Sequence, residues 1–241
     1  MKAPRSHPTV SPRRSEDRGH ADHGWLKTYH TFSFGDYYDP AHMGYRSLRV
    51  INDDVVAPRA GFPTHPHRSM EIFTYVISGQ LEHQDSMGNG RVIKAGEFQY
   101  MSAASGVQHS ELNPSASEPV HLLQIWITPE QPGGEPRYAD MDANTLKLPN
   151  GLALFASPDG RDGSMPIRQQ AEIHFGQLDA GNELTVPTSE FDGAWLHLIK
   201  GGIKISDATL NSGDSAAIDD SAEGFPVSAT EDAEFLLFRL A

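Results

Sequence analysis

Short runs of alternating apolar and polar positions recur along the chain, closed by Gly, Pro or Asn every roughly 6 to 12 residues. That rhythm predicts many short strands and few helices. Side chains of a strand alternate with a period of two, so Tyr29 to Phe34 places His30, Phe32 and Phe34 on one face. Leu48 to Ile51, Glu71 to Ile77, Leu81 to Gln84 and Arg91 to Lys94 are further predicted strands. Between the last two, Asp85 to Gly90 contains Asn89-Gly90 and reads as a hairpin loop. His121 to Thr128 (HLLQIWIT) is apolar on both faces and predicts a central, doubly covered strand. Helical periodicity is weak; Ala139 to Lys147 is the best short helix candidate.

Pro129, Pro132, Gly133, Gly134 and Pro136 form a linker-like cluster, which predicts domains at 1–135 and 136–241. Strand signals resume beyond it at Ile173 to Leu178, Asn182 to Val186, Ala194 to Ile199, Ile203 to Ser206, Ser215 to Ile218 and Ala233 to Leu240. Leu210-Asn211-Ser212-Gly213-Asp214 echoes Ile93-Lys94-Ala95-Gly96-Glu97 in the first half. The economical reading is all-β: two barrels or sandwiches of one kind in tandem.

Composition narrows the classes of function. The 241 residues contain no cysteine, which excludes disulfide scaffolds, thiolate metal sites and a Cys nucleophile. No apolar run is long enough for a membrane helix, and Arg13-Arg14 has no apolar segment behind it, so the expected location is the cytoplasm. A net charge of −13 argues against direct nucleic-acid binding and favours a small molecule or a protein partner. The basic start (Lys2, Arg5, Arg13, Arg14, Arg18) is read as frayed and the acidic last forty residues as a solvated face, with an intramolecular or partner contact between the two ends as the alternative.

The chemistry lies in the histidines. His65-Pro66-His67 alone is unremarkable in a chain with 12 His. His109-Ser110-Glu111 supplies a second pair of possible ligands at the same i, i+2 spacing. On two facing strands these pairs bring three imidazoles and one carboxylate to one point. That donor set suits Fe(II), Mn(II), Co, Ni, Cu or Zn and leaves coordination positions open, as a catalytic metal requires. Pro66 suits an edge strand or a bulge, Gly61 and Gly79 bracket the first pair, and Asn113 suits the turn ending the second strand.

These residues resemble the two sequence motifs of the cupin superfamily. His65, His67 and Glu71 fit the first; Gly106, His109 and Asn113 fit the second. The glycine spacings depart from the general pattern, and Ala104 replaces its proline. The departures resemble the pirin family of bicupins. They are carried by His20-Ala21-Asp22-His23-Gly24-Trp25, His30-Thr31-Phe32-Ser33-Phe34, Asp36-Tyr37-Tyr38, Leu48 to Asn52, His65 to Arg68 and Gly106 to Glu111.

The resemblance implies a bicupin of two tandem antiparallel jelly-roll barrels, the second without a metal site. It implies His65, His67, His109 and Glu111 as ligands, with Glu71, the usual cupin ligand position, left off the metal as a structural carboxylate. The implied cofactor is one divalent transition metal per chain, Fe(II) first, with Cu, Ni, Co, Mn and Zn compatible. The chain is similar in length and ending to bacterial relatives assigned quercetin 2,3-dioxygenase activity. The implied substrates are a flavonol and O2, with Glu111 as proton acceptor. The alternative is a metal- or redox-sensing regulator that binds a protein partner. Phe73, Gln124 and Trp126 are pocket candidates by parity, Phe73 only if its strand runs unbroken from His65. His20, Asp22 and His23 are expected to hold the N-terminal arm on the barrel, His30 and His121 to serve in core or capping roles, and Arg68 is left open.

Overall fold

The protein is described by a computed structural model covering residues 8–146 and 148–241. The chain divides into two compact units, one of residues 18–145 with 167–169, the other of residues up to 17 with 146–166 and 170–241. Each unit pairs a seven-stranded sheet with a four-stranded one. The structure is nearly all β, as expected for a bicupin, and among the described residues the one α-helix is the single turn Ala143–Leu146.

In the first unit the large sheet has the order Arg137–Asp142, Glu97–Ser102, Glu71–Ser78, Val120–Ile127, Leu48–Val56, Leu26–His30, Gly19–Asp22. The small sheet has the order Gly61–His67, Val107–Leu112, Gln80–Asp85, Gly90–Lys94. Val120–Ile127 is central in the sheet, paired on both edges, and most of its residues are buried. Leu26, Val56, Val76, Leu81, Ile93, Val120 and Leu122 form one apolar cluster of this unit.

Two boundaries move from their expected places. Arg137–Asp142 pairs with Glu97–Ser102 and so extends the first unit past 135. Those residues overlap the expected 139–147 helix, of which only the single turn remains; Lys147 lies outside the described residues. The chain start is also placed differently. Thr9–Arg13 pairs antiparallel with Ser215–Asp219, so this arm belongs to the second unit and is not frayed. Arg14 bonds the Asp214 carboxylate at 2.9 Å and the Thr209 carbonyl at 2.7 Å, and Asp214 Oδ1 also accepts the Ser15 N–H at 2.8 Å. Lys2 and Arg5 lie outside the described residues.

In the second unit, Leu196, Leu198, Ile203, Leu210, Phe225, Phe235 and Leu237 belong to a single apolar cluster. Among its described residues, His174 and His197 are engaged in hydrogen bonds within the fold. His174 meets Glu172 at 3.1 Å, and His197 meets the Ser215 hydroxyl at 2.8 Å. Among the described residues, both groupings of metal-competent side chains lie in the first unit.

Candidate metal centre

His65 and His109 face each other across a strand pair. Gly61–His67 is the edge of the small sheet and Val107–Leu112 its neighbour, with His109 opposite His65 and Val107 opposite His67. The register shifts between His109 and Glu111, so that Glu111 faces Phe62 while Pro63 and Thr64 form the bulge. Pro66 tolerates its position because the strand is an edge. Gly61 lets the two backbones approach: a Cβ there would meet the Glu111 carbonyl and lie 2.6 Å from Leu112 Cα. Asn113 ends the second strand with its amide on the carbonyls of Val56, Ala57 and Glu118 and its oxygen on Ser115 N–H.

One ligand atom from each of His65, His67 and His109 falls within 4.8 Å of the other two. Partners assign the tautomers. His65 Nδ1–H donates to the Pro63 carbonyl at 2.8 Å, leaving Nε2 bare. Asp85, buried against His83, accepts from the backbone N–H of Met87 and Asn89 and from the Asn89 side chain. Burial opposes ionisation of Asp85, but the bonds from Asn89, His83 and Met87 outweigh it and hold its carboxyl below the usual range. His83 Nε2–H therefore donates to Asp85 at 3.2 Å, and His83 Nδ1 lies 3.5 Å from His109 Nδ1 as acceptor. His109 Nε2 is then also bare, 3.0 Å from His65 Nε2.

Two bare imidazole nitrogens at that distance repel unless a proton or cation lies between them. Burial, then the neighbouring histidines, lowers His67 to about 4 and His109 to about 3. Both are neutral at physiological pH, the form that ligates a metal. The residues fit a divalent transition ion.

Glu111 is fully buried, and its oxygens are held by donors from the large sheet. Thr74 Oγ and Gln99 Nε2 donate to Oε1 at 3.2 and 3.3 Å, and Gln124 Nε2 donates to Oε2 at 2.9 Å. A ligand atom of Glu111 groups with His83 and His109 within 4.8 Å. His83 and Asp85 escaped the sequence reading. Their signal was another i, i+2 pair, which cross-strand register sets opposite Glu111 and His109.

A cavity of about 580 Å³ opens on this cluster, lined by His65, His67, Glu111, Gln124 and Trp126 together with Phe34, Phe62, Leu26, Thr28, Asn52 and Asp54. Gln124 and Trp126 are where parity placed them. Phe73 is not: it is buried on the opposite face and stacks on Tyr100 at 4.9 Å. The strand does not continue from His67, because the chain turns at Ser69 (φ 49°) and enters the other sheet. Glu71 lies on that opposite face too, accepting from Tyr100 Oη, Ser102 Oγ at 2.6 Å and Arg168 N–H at 3.1 Å. His20, His23 and His30 line the cavity, beyond the structural roles expected of them; Asp22 caps the Gly24 N–H at 2.8 Å. His121 is paired with Asp53 at 2.6 Å.

The Pirin family model matches residues 11–127, and the Quercetinase C-terminal cupin domain model matches residues 154–240. The chain is 46% identical to the quercetin 2,3-dioxygenase of Escherichia coli K12, over 95% of this chain and 97% of that one. It is 41% identical to a pirin-like protein of Caulobacter vibrioides, over 92% and 96%. The crystal structure of YhhW from Escherichia coli superposes with a TM-score of 0.92 at 45% identity, covering 97% of this chain and 98% of that one. A second YhhW structure, described as a bacterial pirin in complex with nickel(II), superposes at 0.91 with 44% identity over 96% and 99%. Two sheet pairs in one chain, a histidine cluster in the first unit and these likenesses over the full length place the chain in the pirin family of bicupins.

Proposed function

We propose that this chain is a metal-dependent dioxygenase that opens the heterocyclic ring of a flavonol with O2 and releases carbon monoxide. His65, His67, His109 and Glu111 are its ligands and Fe(II) its metal. The observation that carries the reading is the pair of bare nitrogens of His65 and His109, 3.0 Å apart beside a cavity that His65 lines and that is sized for a small aromatic molecule. A bound divalent ion supplies Lewis acidity, lowering the pKa of a substrate hydroxyl.

The protein's own groups do the rest. A carboxylate offers about four lone-pair sites, and Thr74, Gln99 and Gln124 occupy three on Glu111. One remains, enough for single-point ligation or for taking the substrate proton when that contact loosens. Phe34 and Trp126, edge to face at 5.4 Å, give the flat rings an apolar wall that excludes water. The names of the curated relatives and the nickel(II) complex of a pirin support both halves of the reading, metal and flavonol.

The test is metal content measured beside loss of quercetin absorbance under air. The reading expects about one transition ion per chain and turnover that disappears in Glu111→Ala. Metal without turnover would transfer the chain to the regulatory reading, in which the ion is a sensor and a protein is the partner.

A further inference from the structure

The cavity has a second polar feature that ligation leaves unused. Across the large sheet, Gln99, Thr74, Gln124, Asn52 and His30 are register partners in one lateral row. The row is knit together: Thr74, Gln99 and Gln124 hold Glu111, and His30 Nδ1 meets Asn52 Oδ1 at 2.8 Å. Asp54 stands one row further along the same face, opposite Leu122 and Thr28. Strand spacing puts it roughly 7–8 Å from Gln124, diagonally across the pair.

Behind Asp54 the apolar cluster of Val56, Val76 and Leu122 begins. Asp54 is one of the residues around the cavity and is almost wholly buried, and its Oδ1 has no hydrogen-bond partner within the protein. A buried polar atom left without a partner is rare in a folded chain. In a wall of a ligand cavity, such an atom marks where a ligand's polar group belongs.

We propose that Asp54 is a substrate-binding residue that pairs with a phenolic hydroxyl of the flavonol other than the one addressed to the histidine cluster. The inference rests on the flavonol reading and adds to it a preference for polyhydroxylated rings. Burial chiefly, with Asp53 and Glu111 nearby and against a bond from Thr28 and the charge of His121, raises the Asp54 carboxyl to about 7. Protonated, that carboxyl both donates and accepts; ionised, it still accepts from a phenol's O–H, so it matches a phenol in either state. Leu26, Phe34, Phe62 and Trp126 complete the cavity with apolar surface for the rings. A site that hydrogen-bonds a hydroxyl rejects an analogue lacking it, because its own polar atom then stays unpaired.

The experiment is calorimetric titration of the metal-loaded and the chelator-treated protein with quercetin and with 3-hydroxyflavone. The second compound keeps the hydroxyl addressed to the metal and lacks the others. Wild type is expected to prefer quercetin by roughly tenfold or more in both forms. Asp54→Leu is expected to reduce that preference to within about threefold while binding 3-hydroxyflavone as before; Asp54→Asn, still a donor and an acceptor, keeps most of it. Thermal melts verify folding, and Asp54→Ala repeats the test if the leucine variant does not fold. An unchanged preference in Asp54→Leu or Asp54→Ala, or none in wild type, overturns the assignment and leaves the flavonol reading standing. A wild type that binds neither compound overturns both.

Discussion

Two carboxylates five strands' worth of sequence apart show how contacts decide roles at the scale of the residue. Glu71 has both oxygens taken by Tyr100, Ser102 and Arg168 on the face away from the cavity, whereas Glu111 faces the histidines. Glu71→Gln is therefore expected to keep the metal stoichiometry while losing about 1–3 kcal/mol of stability, from a buried acceptor turned donor; plasma mass spectrometry beside a denaturant titration checks both. Loss of the metal would contradict the assignment of Glu111. Asp54 makes a prediction with a sign. Its folded value, about 7, lies above the unfolded carboxylate value of 3.8, so the folded state binds more protons between the two. Its contribution to stability is full at low pH and falls as pH rises through that window. Asp54→Asn is expected to gain on wild type by up to about 4 kcal/mol between pH 4 and 8. Equal denaturation midpoints at pH 5 and pH 8 would contradict it. The place of Asp54 and Asn52 in the cavity was not legible in the sequence. One acid in Asn52-Asp53-Asp54 carries no pattern until register with Gln124 and Thr28 fixes which side chains face the cavity.

At the scale of the element, the site depends on how closely two strands approach. The i, i+2 spacing of His65, His67, His109 and Glu111 was readable because the strand period is two and each pair sits within one strand. Phe73 failed by the same rule, since parity does not survive the turn at Ser69. Gly61→Ala pushes its new methyl into Val107–Leu112, which carries both His109 and Glu111. The expected result is a metal affinity lowered at least tenfold together with a lower melting temperature; unchanged affinity by competitive chelation would mean the strands can part freely. His83 acts from the neighbouring strand Gln80–Asp85, relaying the Asp85 carboxylate to His109. His83→Phe keeps the stacking on Tyr138 and loses the relay. Its metal affinity is expected to fall 10- to 100-fold by roughly the usual effect of a lost ligand-orienting bond. An affinity equal to wild type would remove His83 from the site.

For the whole molecule, the tandem architecture was legible in the turn spacing and the repeated apolar–spacer–Gly–acid segments. The crossing of the first strand to the second unit was not, because Thr9–Arg13 (TVSPR) has proline and arginine where a strand signal is sought. It pairs with Ser215–Asp219 as an edge, where such residues are tolerated. Removing residues 1–14 is expected to bare that edge and promote self-association, seen as a concentration-dependent mass in light scattering; a monodisperse truncated chain would contradict this. The second unit has its own apolar cluster, and its His174 and His197 are tied to Glu172 and Ser215, so the proposed chemistry is placed in the first unit. The measurement that bears most directly on that chemistry is the gas balance of the iron-loaded protein turning over quercetin. The expected result is one O2 consumed and one CO released per quercetin lost, with both abolished in His67→Ala. A protein holding one iron per chain that consumes no O2 and releases no CO with quercetin would contradict it.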